Sequence, residues 1–117
     1  MTDEKELMFQ VKAGRLDKLA VLYENNKVAL FNFFLRSGNS RALSEDLVQE
    51  TFMRVLAYRT SFQGTSTFKS WLYGIARNTV ADHYRKAGNQ QHHADIDDHE
   101  VGEEKTLMDN MEAQQQQ

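Results

Sequence analysis

The sequence predicts an all-α fold, a compact bundle of about four helices carrying a polar, acidic C-terminal tail. Three observations predict it. Apolar residues recur at spacings of three and four in four separate stretches, and none alternates convincingly like a strand. Proline is absent, so nothing forces a helix to break. Glycine and small polar residues fall between the periodic stretches, where turns belong.

The first helix is expected over roughly residues 3–13, with Leu7, Met8 and Val11 on one side and Gly14 closing it as a C′ glycine. The second is expected over 17–36, with Asp17 as its N-cap and Leu19, Ala20, Tyr23, Leu30, Phe31 and Phe34 as the periodic set. Ser37, Gly38, Asn39 and Ser40 end it. The third is expected to start after Ser44, with Glu45 and Asp46 in the first turn, where the helix dipole favours acids. It should end near Tyr58, with Leu47, Val48, Phe52, Val55 and Leu56 inward. The fourth is expected over 68–86, closed by Gly88. Its core side is Phe68, Leu72, Ile75, Ala76, Thr79 and His83, the last as a packed histidine. Residues 1–88 read as the folded domain. Residues 89–117 read as a linker or tail, disordered or partly helical, in which Leu107, Met108 and Met111 could form one amphipathic turn.

With 117 residues the chain is one small domain plus a tail. It has no cysteine, which excludes disulfides, a thiolate nucleophile and a zinc–cysteine site. The longest apolar run, 28–35, is interrupted by Asn32, so no membrane span is expected. The acidic start, Thr2 to Glu6, has no apolar segment of the kind a secretory signal needs, and a cytoplasmic location is expected. Charge is divided unevenly. Residues 1–88 hold 13 Lys and Arg against 9 Asp and Glu, whereas 89–117 hold Lys105 against 8 acids. A mildly basic body hints at a polyanionic partner, although such a split also suits an ordinary solvated surface.

Two helix faces carry chemistry. On the third helix Asp46, Gln49, Glu50 and Met53 fall at i, i+3, i+4 and i+7, one outward stripe. A solvated face would look similar, but an outward methionine suits adaptable protein contacts. Asp46 and Glu50 lie on an open convex face, without the burial that acid–base catalysis needs. On the fourth helix Tyr73, Arg77, Ala81, Tyr84 and Arg85 face away from the core side, with Lys69 and Ser70 at the start. Trp71 and Asn78 share a flank. Residues 51–88 contain Arg54, Arg59, Lys69, Arg77, Arg85 and Lys86 against the single acid Asp82. Cations neutralise phosphates, and flat rings stack on unpaired bases at about 1–3 kcal/mol each. The loop before this helix combines Phe62, Gly64, Thr65, Ser66 and Thr67, a set that can admit a flipped base. The competing reading makes the rings core and the cations solubilising. It leaves Trp71, Tyr73 and Tyr84 hard to bury together with Leu72 and Ile75.

The run Asp46-Leu47-Val48-Gln49-Glu50-Thr51-Phe52-Met53-Arg54-Val55-Leu56, then Phe62-Gln63-Gly64, then FKSWLYGIARNTVADHYRK over 68–86, resembles domain two of the extracytoplasmic-function sigma factors of the sigma-70 family. Residues 14–20 and Leu22-Tyr23 resemble that family's first conserved stretch, so the similarity covers about 5–88. The resemblance implies a non-enzymatic transcription initiation protein without a cofactor. It implies docking on a coiled coil of the β′ subunit of core RNA polymerase through Asp46, Gln49, Glu50, Met53 and Arg54. It also implies recognition and melting of the −10 promoter element on the non-template strand. There Phe62, Gly64, Thr65, Ser66 and Thr67 serve as loop residues. Trp71 and Asn78 would come from the helix, and Lys69, Arg77, Arg85 and Lys86 would contact phosphates; the helix face read above adds Tyr73 and Tyr84 to the DNA-binding set. The family often has a basic residue where Gln63 and Gly74 stand here. Its members normally continue into a helix-turn-helix domain that reads the −35 element. The acidic tail resembles the linker to it, so a piece of a longer protein is expected.

An anti-sigma protein is a further partner the resemblance implies, and a module bound chiefly by such a protein is the alternative function. A metal-dependent hydrolase built on His92, His93, Asp95, Asp97, Asp98 and His99 is disfavoured, because these residues lie in a polar stretch without flanking core.

Overall fold

The structure is a computed structural model that describes residues 3–91. It contains four α-helices, α1 Glu4–Lys12, α2 Asp17–Arg36, α3 Arg41–Ala57 and α4 Phe68–Gln91, with a 3-10 turn, Arg59–Ser61, between α3 and α4. No strand occurs among the described residues, and none of the helices is long and apolar enough to cross a membrane. The α-helical expectation therefore holds. The His92–His99 cluster and the rest of the tail lie outside the described residues.

Local chemistry sets most of the boundaries. The Asp3 carboxylate accepts from the Lys5 amide at 3.2 Å and caps α1. Gly14 closes the same helix with a φ of 107°, so the Arg15 amide turns back onto the Gln10 carbonyl at 2.8 Å. Three boundaries differ from expectation. Asp17 is the first residue of α2, not its cap; Leu16 occupies the cap in a helical conformation without a side-chain bond. The short α1–α2 turn is already helical there, since the Lys18 and Leu19 amides reach the Arg15 and Leu16 carbonyls. Helix α3 begins one turn early, because the Ser40 hydroxyl accepts from the Leu43 amide at 3.1 Å. Ser44 is thus an internal, buried residue. Helix α4 runs through Gly88, which does not take up the left-handed φ of a stop.

Helix α3 packs on both α2 and α4, while α1 lies across α2, the 3-10 turn and the start of α4. The core joins Leu7, Met8 and Val11 to Leu22, Leu30 and Phe34, to Leu47, Val48, Phe52 and Val55, and to Phe68, Leu72, Ile75 and Ala76. Each fully buried large side chain is worth about 1.5–3 kcal/mol of transfer free energy. Leu56 is only half-buried, and Ala20 and His83 are exposed. His83 keeps the inward period of α4 but lines the open groove between α3 and α4, beside Leu43, Arg54 and Lys86.

Of the buried polar residues, Asn26 links three helices. Asn26 follows Leu22 and precedes Leu30 on the same face of α2 and is fully buried. Its amide donates to Glu4 Oε2 and to the Leu22 carbonyl, each at 2.8 Å, and its oxygen accepts from Lys69 Nζ at 2.7 Å. Burial is tolerated because every part of the amide is partnered. This joins α1, α2 and α4 through one side chain.

Leu72→Ala should lower unfolding free energy by about 2–5 kcal/mol in urea denaturation, whereas Val28→Ala, at an exposed site on α2, should stay within about 0.5 kcal/mol of the parent.

Candidate functional site

The outward stripe of α3 forms as its spacing predicts. Asp46, Gln49, Glu50 and Met53 are all exposed, Met53 at 64%. The Gln49 amide donates to the Tyr23 hydroxyl at 2.6 Å, and the Tyr23 ring meets Phe52 edge-on at 5.2 Å. The stripe is thus continuous with α2. An open groove of about 430 Å³ runs between the two helices, lined by Tyr23, Val28, Phe31, Arg41, Asp46 and Gln49 among others. It places apolar side chains of α2 beside the acids and amide of α3.

Arg54 stands apart from this exposed set. Its side chain is 15% exposed, with Nε 3.1 Å from Glu50 Oε2 and Nη1 2.8 Å from Asp82 Oδ2. Burial opposes its charge. The hydrogen bonds it donates to Asp82 and then to Glu50 outweigh that penalty and hold the guanidinium above its ordinary pKa. Asp82 also pairs with Arg85. A line of alternating charge, Glu50, Arg54, Asp82 and Arg85, therefore crosses from α3 to α4.

The loop and α4 divide differently from expectation. Phe62 is fully buried and Trp71 is 2% exposed. Their rings meet at 5.1 Å, and both contact Phe68. Two rings expected to stack on bases are instead core. Trp71 follows the inward arc of α4 through Phe68, Leu72 and Ile75, and the turn at 59–61 swings Phe62 back under the loop. A buried ring offers no face to a base. Tyr73 is half-buried, edge-on to Phe33 at 5.2 Å, and Tyr84 is 51% exposed with its hydroxyl bonded to Asn39.

Above the buried rings, Gly64 has a left-handed φ of 73°. Thr65 and Thr67 are exposed and Ser66 is half-buried. Thr67 Oγ1 accepts from the Ser70 amide at 3.1 Å and caps α4, so this hydroxyl already has a structural partner. Lys69, Arg77 and Tyr84 are exposed along α4, with Tyr73 half-buried among them, at spacings that keep them on one side of the helix. Asn78 and Arg85 are half-buried on the adjoining flank. Lys86 lines a second groove between α3 and α4, with Asp46, Glu50, Arg54 and His83. It therefore belongs beside the α3 acids and away from Lys69 and Arg77. No group of His, Cys, Asp and Glu suited to a metal occurs among the described residues.

Periodicity missed Phe9 and Lys12, which contact the loop from α1, because neither lies on that helix's buried face. Asn26 carried a legible signal, a polar residue at an inward position.

Residues 22–90 match the family model for sigma-70 region 2. The chain is 36% identical over 84 residues to the ECF RNA polymerase sigma factor BldN of Streptomyces coelicolor, covering 70% of this chain and 31% of the relative. It is 37% identical over 71 residues to ECF sigma factor SigM of Bacillus subtilis, covering 61% and 41%. It is 33% identical over 101 residues to the ECF sigma-E factor of Escherichia coli K12, covering 80% and 51%. The chain thus spans about a third to a half of these relatives' length. No solved structure matches it.

Arg54→Met should lower stability by about 1–3 kcal/mol, since it leaves Asp82 without its strongest neighbour across the helix interface. Chemical denaturation at low and high salt checks this, and the deficit should shrink in high salt. With its helices, its α3 stripe and the match over 22–90, the chain belongs to the sigma-70 region 2 family, as a unit of the extracytoplasmic-function type.

Proposed function

We propose that this chain is the promoter-opening module of a transcription initiation factor and acts without bond chemistry. In this reading the α3 stripe, Asp46, Gln49, Glu50 and Met53, docks on the coiled coil of the polymerase β′ subunit. Arg54 holds Glu50 in place from behind. The loop 62–67 and the outer side of α4 take the unpaired non-template strand of the −10 element. Lys69 and Arg77 neutralise phosphates, and Tyr84 and the free edge of Tyr73 offer ring surface. Thr65 and Ser66 supply hydroxyls beside the Gly64 backbone. Phe62 and Trp71 contribute from below, as the floor on which the loop rests.

The observation that carries the reading is the separation of two unlike surfaces on adjacent helices of a sigma-70 region 2 chain. An acid-and-amide stripe with an exposed methionine occupies α3, and a cationic side bearing tyrosines occupies α4. Strand opening then follows from capture. Bases that leave the duplex are held by stacking and phosphate contacts, which offsets the few kcal/mol lost on unstacking each.

Glu50→Lys should abolish capture of core RNA polymerase in a pull-down while the far-ultraviolet circular dichroism stays unchanged. Undiminished capture would remove the docking assignment. Arg77→Ala should weaken binding of single-stranded DNA by the polymerase complex and reduce the slope of log affinity against log salt by about 0.7. An unchanged slope would take Arg77 out of the phosphate contacts.

A further inference from the structure

Helix α1 lies outside the residues matched by the family model, yet it holds both ends of the loop. At the start of the loop, Lys12 Nζ donates to the Phe62 carbonyl at 2.6 Å, across 50 residues of sequence. The Phe9 ring lies against the Phe62 ring at 5.2 Å. In the middle, the left-handed Gly64 backbone comes so close that a Cβ there would stand 2.6 Å from Phe9 Cζ. Just past the end, Glu4 Oε1 is 3.3 Å from Lys69 Nζ, which is also bonded to Asn26. Phe9 is 41% exposed. A phenylalanine at that exposure adds little to the core, so its contact with Gly64 and Phe62 needs another account.

We propose that α1 is a cradle that presets the loop 62–67, with Lys12 and Phe9 as positioning residues for capture of an unpaired strand. The proposal rests on the strand-binding role assigned to this loop above. The physical reason is preorganisation. A loop of this length left free would have to be ordered on binding, at about 1–2 kcal/mol for each backbone residue fixed. The Lys12 bond to a carbonyl fixes the start of the loop, and Phe9 fills the space that only glycine leaves open. Neither side chain has to touch DNA.

The test uses the full chain in complex with core RNA polymerase. The probe is a fluorescent oligonucleotide selected by that complex from a randomised single-stranded DNA pool. Quenching is read on the full chain by itself, where Trp71, its single tryptophan, reports on the loop floor through its contact with Phe62. Lys12→Met should weaken the oligonucleotide roughly tenfold, the order expected for a hydrogen bond from a charged donor. It should raise acrylamide quenching of Trp71 and leave both the salt slope and polymerase capture unchanged. Lys12→Arg, which keeps a donor, should restore affinity and quenching. Phe9→Leu, at an exposed position that tolerates change, should weaken the probe in the same direction even if Lys12→Met folds poorly. Unaltered affinity in Lys12→Met and Phe9→Leu, with Arg77→Ala still weakened, overturns the cradle and keeps the strand-binding reading. A salt slope lowered by about 0.7 with quenching unchanged also overturns it, because Lys12 would then be touching phosphate itself. Equal losses of polymerase capture and thermal midpoint would mean general destabilisation, and overturn it too. If Arg77→Ala and both α1 variants leave affinity unchanged, the strand-binding reading falls and the cradle with it.

Discussion

Burial of Phe62, Phe68 and Trp71 against one another is the constraint on which the rest of the molecule depends. The three rings fill the corner where the chain turns from α3 into α4. Aromatic side chains bury more area than any others, and their edge-on contacts favour particular orientations. Once Phe62 is drawn inward, the residues after it must pass over the rings at the surface. That forces the left-handed step at Gly64 and sets Thr65, Ser66 and Thr67 outside. The polar loop is therefore a consequence of apolar packing beneath it.

The same logic places the two outer surfaces. Helix α3 is gripped on both sides, by α2 and α4, so only a narrow strip of it can face outward. Asp46, Gln49, Glu50 and Met53 occupy that strip. Helix α4 packs chiefly on α3, and its other side is met only at single points, Lys69 by Glu4 and Asn26, Tyr73 by Phe33 and Tyr84 by Asn39, so that side stays cationic and ring-bearing. The two surfaces are not independent. Arg54 binds Glu50 on one helix and Asp82 on the other, and Asp82 holds Arg85. A partly buried arginine between two carboxylates resists separation, because parting it from either leaves a charge poorly solvated. The charge line thus fixes how α3 and α4 sit against each other, and with them the angle between the two surfaces.

Polar order inside the bundle works in a similar way. Asn26 is satisfied only when Glu4, the Leu22 carbonyl and Lys69 are all in place. Removing one partner would strand an amide group in the core, so the arrangement favours a single packing of α1, α2 and α4. Lys69 consequently has two tasks. Its stem and charge anchor the start of α4, and its 60% exposed side chain still presents a cation to solvent.

Helix faces were legible in the residues alone. Spacings of three and four placed Leu7, Val11, Leu30, Phe34, Leu47, Phe52, Leu72 and Ile75 inward and the α3 stripe outward, because side-chain direction along a helix follows its period. The turn at Gly14 was legible for the same local reason, since a missing Cβ permits the left-handed closure. Tertiary structure decided the rest. Phe62 belongs to no helix period, so only the fold could say whether its ring faces water. Trp71 stands at the edge of its helix's inward arc, where the neighbour decides burial. Ser40 displaced Ser44 as the start of α3 because both are competent caps, and the chain's path chose between them. The contacts of Phe9, Lys12 and Arg54 join residues 28 to 55 positions apart. Local pattern records what one element prefers, but not which distant element arrives to meet it.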